Sequence, residues 1–210
     1  MGRRALPKIN PALDLTGRLL EFDELSRPWQ TAALFGREAP LEVEIGSGKG
    51  LFLRSAGVAH PQVNYLGIEV AFKYARFAAA KAVQAGIANV VLVHGDGLRV
   101  STELLPDALL DAVHVYFPDP WWKKRHKKRR VVRESLLADI QRTLHEGGRL
   151  HLWTDVEEYY QTALELIAAS TQLEGPLPVE EPSAYRTHFE RRTRLGGAPV
   201  YRAEFRKKSV

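Results

Sequence analysis

A chain of 210 residues, 45% of them apolar, is long enough for one domain with its own core. Its net charge of +5 is unevenly spread: without the seven cations of 123–130 it carries 23 basic against 25 acidic side chains, so the excess sits in one stretch and points to a local polyanion contact. The absence of cysteine excludes disulfides, Cys-ligated zinc, iron–sulfur clusters and any thiolate nucleophile.

No apolar run is long enough to span a bilayer, and the opening MGRRALPKINPALDL lacks a signal-peptide core, so a soluble cytoplasmic location with no membrane partner is expected. Residues 1–40 carry Pro7, Pro11, Pro28 and Pro40 among scattered cations and show no strong period; they read as an N-terminal extension with a short helix around Trp29 to Phe35. From Leu41 the pattern becomes regular, and 41–210 reads as the main domain. The apolar runs LEVEI, NYLGIEV, NVVLVHG, DAVHVYF and RLHLWT alternate with helical stretches at 50–60, 71–85, 97–108, 131–145 and 156–169. That alternation predicts an α/β fold, a mostly parallel sheet with helices on both faces. Gly147 and Gly148 suit a helix C-terminus. The tail PVYRAEFRKK alternates like a half-exposed antiparallel edge strand.

In open α/β sheets ligands bind outside the carboxyl ends of the strands, where the strand order reverses. The sequence places polar groups at those ends. After the first regular strand comes EIGSGKG, in which Glu44 precedes Gly46, Gly48 and Gly50; glycines let the backbone pass close to a ligand ahead of a helix N-terminus. The dinucleotide fingerprint needs its third glycine one place later, where Leu51 stands, which disfavours a nicotinamide cofactor. Glu69 closes the second regular strand, where a carboxylate can accept both hydroxyls of a ribose, and Asp96 closes the third, where it could accept from an adenine amino group. Three acids at successive strand ends beside a glycine loop resemble the Rossmann-like class I S-adenosylmethionine-dependent methyltransferases. A cationic sulfonium suits such a site, because it brings no pyrophosphate for Glu44 to repel.

The fourth regular strand runs into FPDPWWKKRHKKRR, residues 117–130. Pro118 and Pro120 fix φ and remove backbone donors, making a stiff turn that presents Asp119. The tryptophans behind it can stack on a base, and the cations can hold a phosphate backbone. Together with EIGSGKG, GIEV, a later TD and THFERR, this string closely resembles the bacterial tRNA (guanine-N7-)-methyltransferase family, with matching motifs from about Leu41 to Phe205. The resemblance implies S-adenosylmethionine as cofactor, tRNA as partner, and methyl transfer to N7 of guanine 46 in the variable loop. By position it puts cofactor contacts on Glu44, Glu69, Asp96 and Asp119, with Gly46 and Gly48 of the loop, and makes Asp119 catalytic as well. Substrate contacts fall on Lys123, Asp155 and the segment Thr187, His188, Phe189, Glu190; RNA contacts fall on Arg125, His126, Lys127, Lys128, Arg129 and Arg130. Trp122 is assigned no role. Asp155 also reads as a helix N-cap, with Glu158 three residues on.

No His and acid spacing suggests a metal site. The chemistry constrains Asp119 further. Guanine N7 has an in-plane lone pair and no proton, so a general base is not needed; a carboxylate beside it can favour charge moving onto the purine or hold the N1 and N2 donors. A methyltransferase acting on another RNA or base nitrogen, and a non-catalytic RNA-binding protein using only the basic stretch, are the alternatives the sequence leaves open.

Overall fold

The computed structural model describes residues 6–121, 130–182 and 184–209. Each of the five apolar runs forms a strand: β2 (Leu41–Ile45), β3 (Asn64–Glu69), β4 (Val90–His94), β5 (Leu110–Tyr116) and β6 (Leu144–Thr154). Between and after them lie α2 (Leu51–Ala59), α3 (Phe72–Gln84), α4 (Gly97–Glu103), α5 (Glu134–Thr143) and α6 (Glu157–Ser170). Three further elements stand where the sequence shows no period: β1 (Leu19–Glu21), β7 (Glu174–Leu177) and α7 (His188–Leu195). The short helix expected near Trp29 is α1 (Thr31–Phe35), and β8 (Tyr201–Arg206) closes the chain.

The strands form one sheet in the order β1-β4-β3-β2-β5-β6-β8-β7. All pairs from β1 to β6 are parallel, and β8 is antiparallel to both its neighbours. The tail strand is therefore antiparallel, as expected, but stands one place in from the margin. β7 makes the edge, and its Pro176 suits that place, because an edge strand has one side with no ladder bond to donate.

Strand order reverses between β2 and β5, which places the crevice at the tip of β2. Along β2, Leu41, Val43 and Ile45 enter a core shared with Val100 of α4, Leu136, Leu137 and Ile140 of α5, and Ala163 and Ile167 of α6. On the other face Phe52, Leu53 and Ala56 of α2 and Ala78, Ala79 and Ala82 of α3 pack on Tyr65, Leu92, Tyr116 and Trp153. The register Glu44↔His114↔His151 puts the two glutamates of LEVEI on this second face, among polar and aromatic groups. The alternation in LEVEI thus separates an oily face from one that carries chemistry; neither faces bulk solvent.

Two local expectations are corrected. Gly147 and Gly148 do not end a helix: α5 stops at Thr143 with extended Leu144 as its cap, and the glycines form an excursion within β6 in which Gly147 (φ 81) donates to the Lys207 carbonyl at 2.9 Å. Asp155 does not cap α6 either. The cap is Val156, whose N–H donates to Thr154 Oγ1 at 3.2 Å.

Gly50 starts α2 at φ 65, and a Cβ there would stand 2.7 Å from the Cβ of Ala78 on α3. Gly50→Ala should therefore lower stability by about 1–3 kcal/mol, read as a reduced urea midpoint at unchanged slope.

Candidate active site

The tip of β2 turns through Gly46 (φ 80) and Gly48 (φ 54), a left-handed backbone that side chains disfavour, with open space where a Cβ would sit on either. The N–H groups of Gly46 and Ser47 donate to the Ile68 carbonyl at 2.8 and 3.1 Å. Glu69, at the end of β3, is 8% exposed and fastens the loop from the other side: Oε2 accepts from the Gly48 N–H and Oε1 from the Ala71 N–H, each at 2.8 Å. An ionised carboxylate has about four acceptor sites, so capacity for ribose hydroxyls remains.

Glu44 is 3% exposed, and its Oε2 has no hydrogen-bond partner; neither has the buried Oγ of Ser47. Burial, and secondarily the charge of Glu69, push the Glu44 carboxyl well above the usual glutamate range. Buried polar atoms of this kind are rare in folded proteins and call for a partner. An acid held out of water next to an open glycine loop is suited to a cation, whose charge would favour the ionised carboxylate. Glu44, Ser47, the loop and Glu69 thus fit the cationic methyl donor.

Asp96 is exposed, and its Oδ1 accepts from the Leu98 N–H at 2.9 Å as the N-cap of α4, two strands along from β2. On the other side of β2, the end of β5 leads to Asp119, also exposed. The backbone on either side of this residue is strained: Phe117 has φ 50 and Trp121 φ 42. Such conformations persist only where the surroundings fix them. Here the Phe117 N–H donates to the Trp153 carbonyl at 2.7 Å and Arg130 Nε to the Pro120 carbonyl at 2.8 Å, while the Arg130 guanidinium lies 5.2 Å from the centre of the Tyr159 ring. Lys123, Arg125, His126, Lys127, Lys128 and Arg129 lie outside the described residues, as does Trp122.

The segment Thr187–Glu190 is the start of α7. Thr187 caps it, accepting from the Glu190 N–H at 2.9 Å, and Glu190 returns the bond to the Arg186 N–H at 2.6 Å. The Glu190 carboxylate is fully buried and paired with Arg202 at 3.2 Å and Arg194 at 3.4 Å, so its contacts are internal to the protein. Phe189 is 49% exposed and stacks on Phe117 with centroids 6.1 Å apart. His188 is held below the ordinary imidazole range by partial burial and by Lys49, Arg54 and Arg191, which places it in the field of the glycine loop. Asp155, exposed at the end of β6, accepts from Thr193 Oγ1 at 3.3 Å. Through α7 the structure brings Asp155, Thr187, His188 and Phe189 together with the Asp119 turn and the glycine loop.

One residue that the sequence reading missed anchors this arrangement. Arg186 donates to Tyr116 Oη at 3.0 Å and lies over Trp153 at 5.2 Å and Phe52 at 5.8 Å, a site of aromatic faces for a planar cation. Beneath it His114 bridges Tyr116 Oη and Glu42 at 2.9 and 2.8 Å and stacks on His151. Burial drives His114 well below its usual range and His151 down to about 2, so both rings are neutral. No signal in the sequence links Arg186 to a tyrosine 70 positions earlier.

Two surface concavities of about 620 and 390 Å³ lie at the opposite end of the sheet, beside Lys207 and beside Pro61, away from the strand tips. Among the described residues no cluster of three or more His, Asp or Glu side chains is placed to hold a metal ion, and no helix is long and apolar enough to cross a membrane.

The family model described as "Putative methyltransferase" matches residues 38–203. The tRNA (guanine-N(7)-)-methyltransferase of Rhodopirellula baltica is 46% identical over an alignment covering 100% of this chain and 81% of that protein. Proteins of the same name from Sodalis glossinidius and Cupriavidus necator are 35% and 36% identical, covering 93% and 95% of this chain and 84% and 78% of their own. The chain belongs to the tRNA (guanine-N7-)-methyltransferase family. Solved structures add the fold: an antibiotic-related methyltransferase superposes with TM-score 0.59 at 17% identity over 82% of this chain and 90% of its own. A SAM-dependent methyltransferase from Aquifex aeolicus gives 0.54 at 15% over 80% and 82%. As a member of this family the protein is a methyltransferase that uses S-adenosylmethionine.

Glu44 gives a test that needs no substrate. Because the folded protein binds its proton more tightly than the unfolded chain does, the associated stability is full below about 4.5, the ordinary glutamate value, and is lost as pH rises through the higher folded value. Glu44→Gln carries no such proton. In urea unfolding without ligand, the variant should gain on the wild type as pH is raised from 4.5 towards 8, and a difference that stays flat would mean that the carboxyl titrates normally.

Proposed function

We propose that this protein transfers the methyl group of S-adenosylmethionine to N7 of guanine 46 in the variable loop of tRNA, in the cytoplasm. The observation that carries the reading is the unpartnered buried carboxylate of Glu44 beside the open glycine loop, one strand away from a rigid turn that presents Asp119. Family membership supplies the substrate: the relatives named above are tRNA (guanine-N(7)-)-methyltransferases by name.

S-adenosylmethionine supplies an electrophilic methyl group on a positively charged sulfur. Glu44 and Ser47 would meet its cationic end, Glu69 its ribose and Asp96 its base. Bound there, the cofactor would give its methyl group to the guanine N7 lone pair, the C–S bonding pair staying with sulfur and the positive charge passing to the purine. No proton moves. Asp119 then has two tasks, to hold the guanine edge and to favour charge arriving on the ring, and both rely on its fixed position. Thr187, the cap of α7, His188 and Asp155 would contact the target nucleotide. Glu190 serves them by locking that turn through its bonds to Arg186, Arg194 and Arg202. Lys123 and the run Arg125 to Arg130 would hold the phosphates around it.

Methyl incorporation into an unmodified tRNA transcript, followed by cleavage at labilised 7-methylguanosine, tests the reading directly: a single cut at position 46 is expected, and methylation without a cut would move the acceptor to another atom. Asp119→Asn should lower kcat by about 100-fold at saturating substrates with the affinity for S-adenosylmethionine changed far less. Because several phosphate contacts come from one stretch of chain, log of tRNA affinity should fall with log of salt concentration with a slope of about −3 to −5. Neutralising Lys127 and Lys128 should make that slope shallower by roughly 1 to 2.

A further inference from the structure

The N-terminal strand has no part in the chemistry above, yet it reaches both outer walls of the cofactor cleft. β1 lies parallel to β4 in the register Leu19↔Leu92, Leu20↔Val93, Glu21↔His94. At the last pair Glu21 Oε2 meets His94 Nδ1 at 2.7 Å, and the other ring nitrogen, Nε2, lies 3.2 Å from the Val70 carbonyl. The His94 ring also meets Phe72 edge-on at 5.2 Å. Val70 and Phe72 belong to the turn that follows Glu69, and they are 72% and 48% exposed, an unusual placing for two large apolar residues next to a buried acid. One residue further along the chain, Phe22 packs against Gly95, which precedes Asp96, while Arg99 of α4 covers the Phe22 ring at 4.1 Å.

We propose that Glu21 and His94 are positioning residues for the adenosine half of the cofactor. Glu21 orients the imidazole, the imidazole holds the Val70 carbonyl and the Phe72 ring, and the turn so fixed offers its two apolar side chains to a planar base between Glu69 and Asp96. Both neighbours of the imidazole, a carboxylate and a carbonyl, are acceptors, so the ring bonds both at once only with an N–H on each nitrogen. Phe22 does for the Asp96 loop, by packing, what Glu21 does for the Glu69 turn, by hydrogen bonding. The N-terminal strand is thus a support of the cofactor site that touches no cofactor atom. This inference rests on the reading that Glu69 and Asp96 face the adenosine.

The test is calorimetric titration of the full chain with S-adenosylhomocysteine, which reports binding without turnover. Glu21→Ala and His94→Ala should each weaken binding by about five- to tenfold. The double variant should be no weaker than the worse single one, since the two act as one relay. Glu21→Gln, which keeps an oxygen acceptor, should return to within twofold of wild type. The affinity for tRNA and kcat at saturating cofactor should stay unchanged, as a general loss of structure would not allow. Should His94→Ala fail to fold, the half-exposed Glu21 decides the matter alone. Binding within twofold of wild type in Glu21→Ala overturns the proposal. Glu69→Ala separates the two levels: if it loses binding while Glu21→Ala does not, only the relay is wrong, whereas normal binding in Glu69→Ala removes the reading beneath it as well.

Discussion

A carboxyl group taken out of water with one oxygen unpartnered is costly, and this protein holds one at the centre of its sheet. Glu44 sits on β2, where strand order reverses, so the position of greatest access to a crevice also holds a buried oxygen with no hydrogen-bond partner. Neighbouring features follow from the need to make that site usable. The glycine loop after β2 adopts a backbone that leaves space beside the acid. Glu69 is turned towards the loop, each of its oxygens accepting from a backbone N–H of the loop or of its own turn. The two acids stand on adjacent strands, and the charge of Glu69 adds to burial in raising the proton affinity of Glu44.

The second half of the site is assembled from parts far apart in sequence. Phe117 is held to Trp153 by a backbone bond and to Phe189 by ring stacking, and Arg186 reaches Tyr116 and Trp153 at once. Three segments, around 117, 153 and 187, are therefore joined to one another directly. The buried Glu190, paired with Arg194 and Arg202, ties them to β8. Buried ion pairs contribute little to net stability but are costly to break from one side, which makes them effective at keeping a segment in a single place.

Much of this was legible in the sequence, and the reasons are specific. NYLGIE and VVLVH announce themselves because a strand covered on both faces needs apolar residues at nearly every place, and LEVEI because its alternation puts Leu41, Val43 and Ile45 on one face; the acids at or just after their ends stand out against that background. Elements at the margins did not. β1 is three residues long and gains its order from β4, and β7 contains a glycine and a proline that no strand pattern would admit except at an edge. Half of the residues of α7 are charged, and only Glu190 and Thr193 of its eight are buried. Its position depends on the carboxylate of Glu190 and on Arg186, whose partners lie up to 70 residues away, so no local period could reveal it. Asp155 illustrates the converse: its spacing to Glu158 matches a helix cap, but α6 starts one residue later than that pattern assumes, and Asp155 meets Thr193 instead.

The exposure of Asp119 fits this division of labour. An acid meant to remove a proton is served by burial, which raises its affinity for that proton, as happens to Glu44. Attack by a purine N7 has no proton to remove, and what it requires is that base, methyl carbon and sulfur lie on one line. The protein spends its strain accordingly: Phe117 and Trp121, the residues that enter and leave the proline turn, carry the unfavourable backbone angles, and Arg130 and Trp153 hold the turn at its two ends. Rigidity around an exposed acid, and desolvation around a buried one, are what alignment of a neutral nucleophile with a cationic donor would ask of neighbouring strand ends.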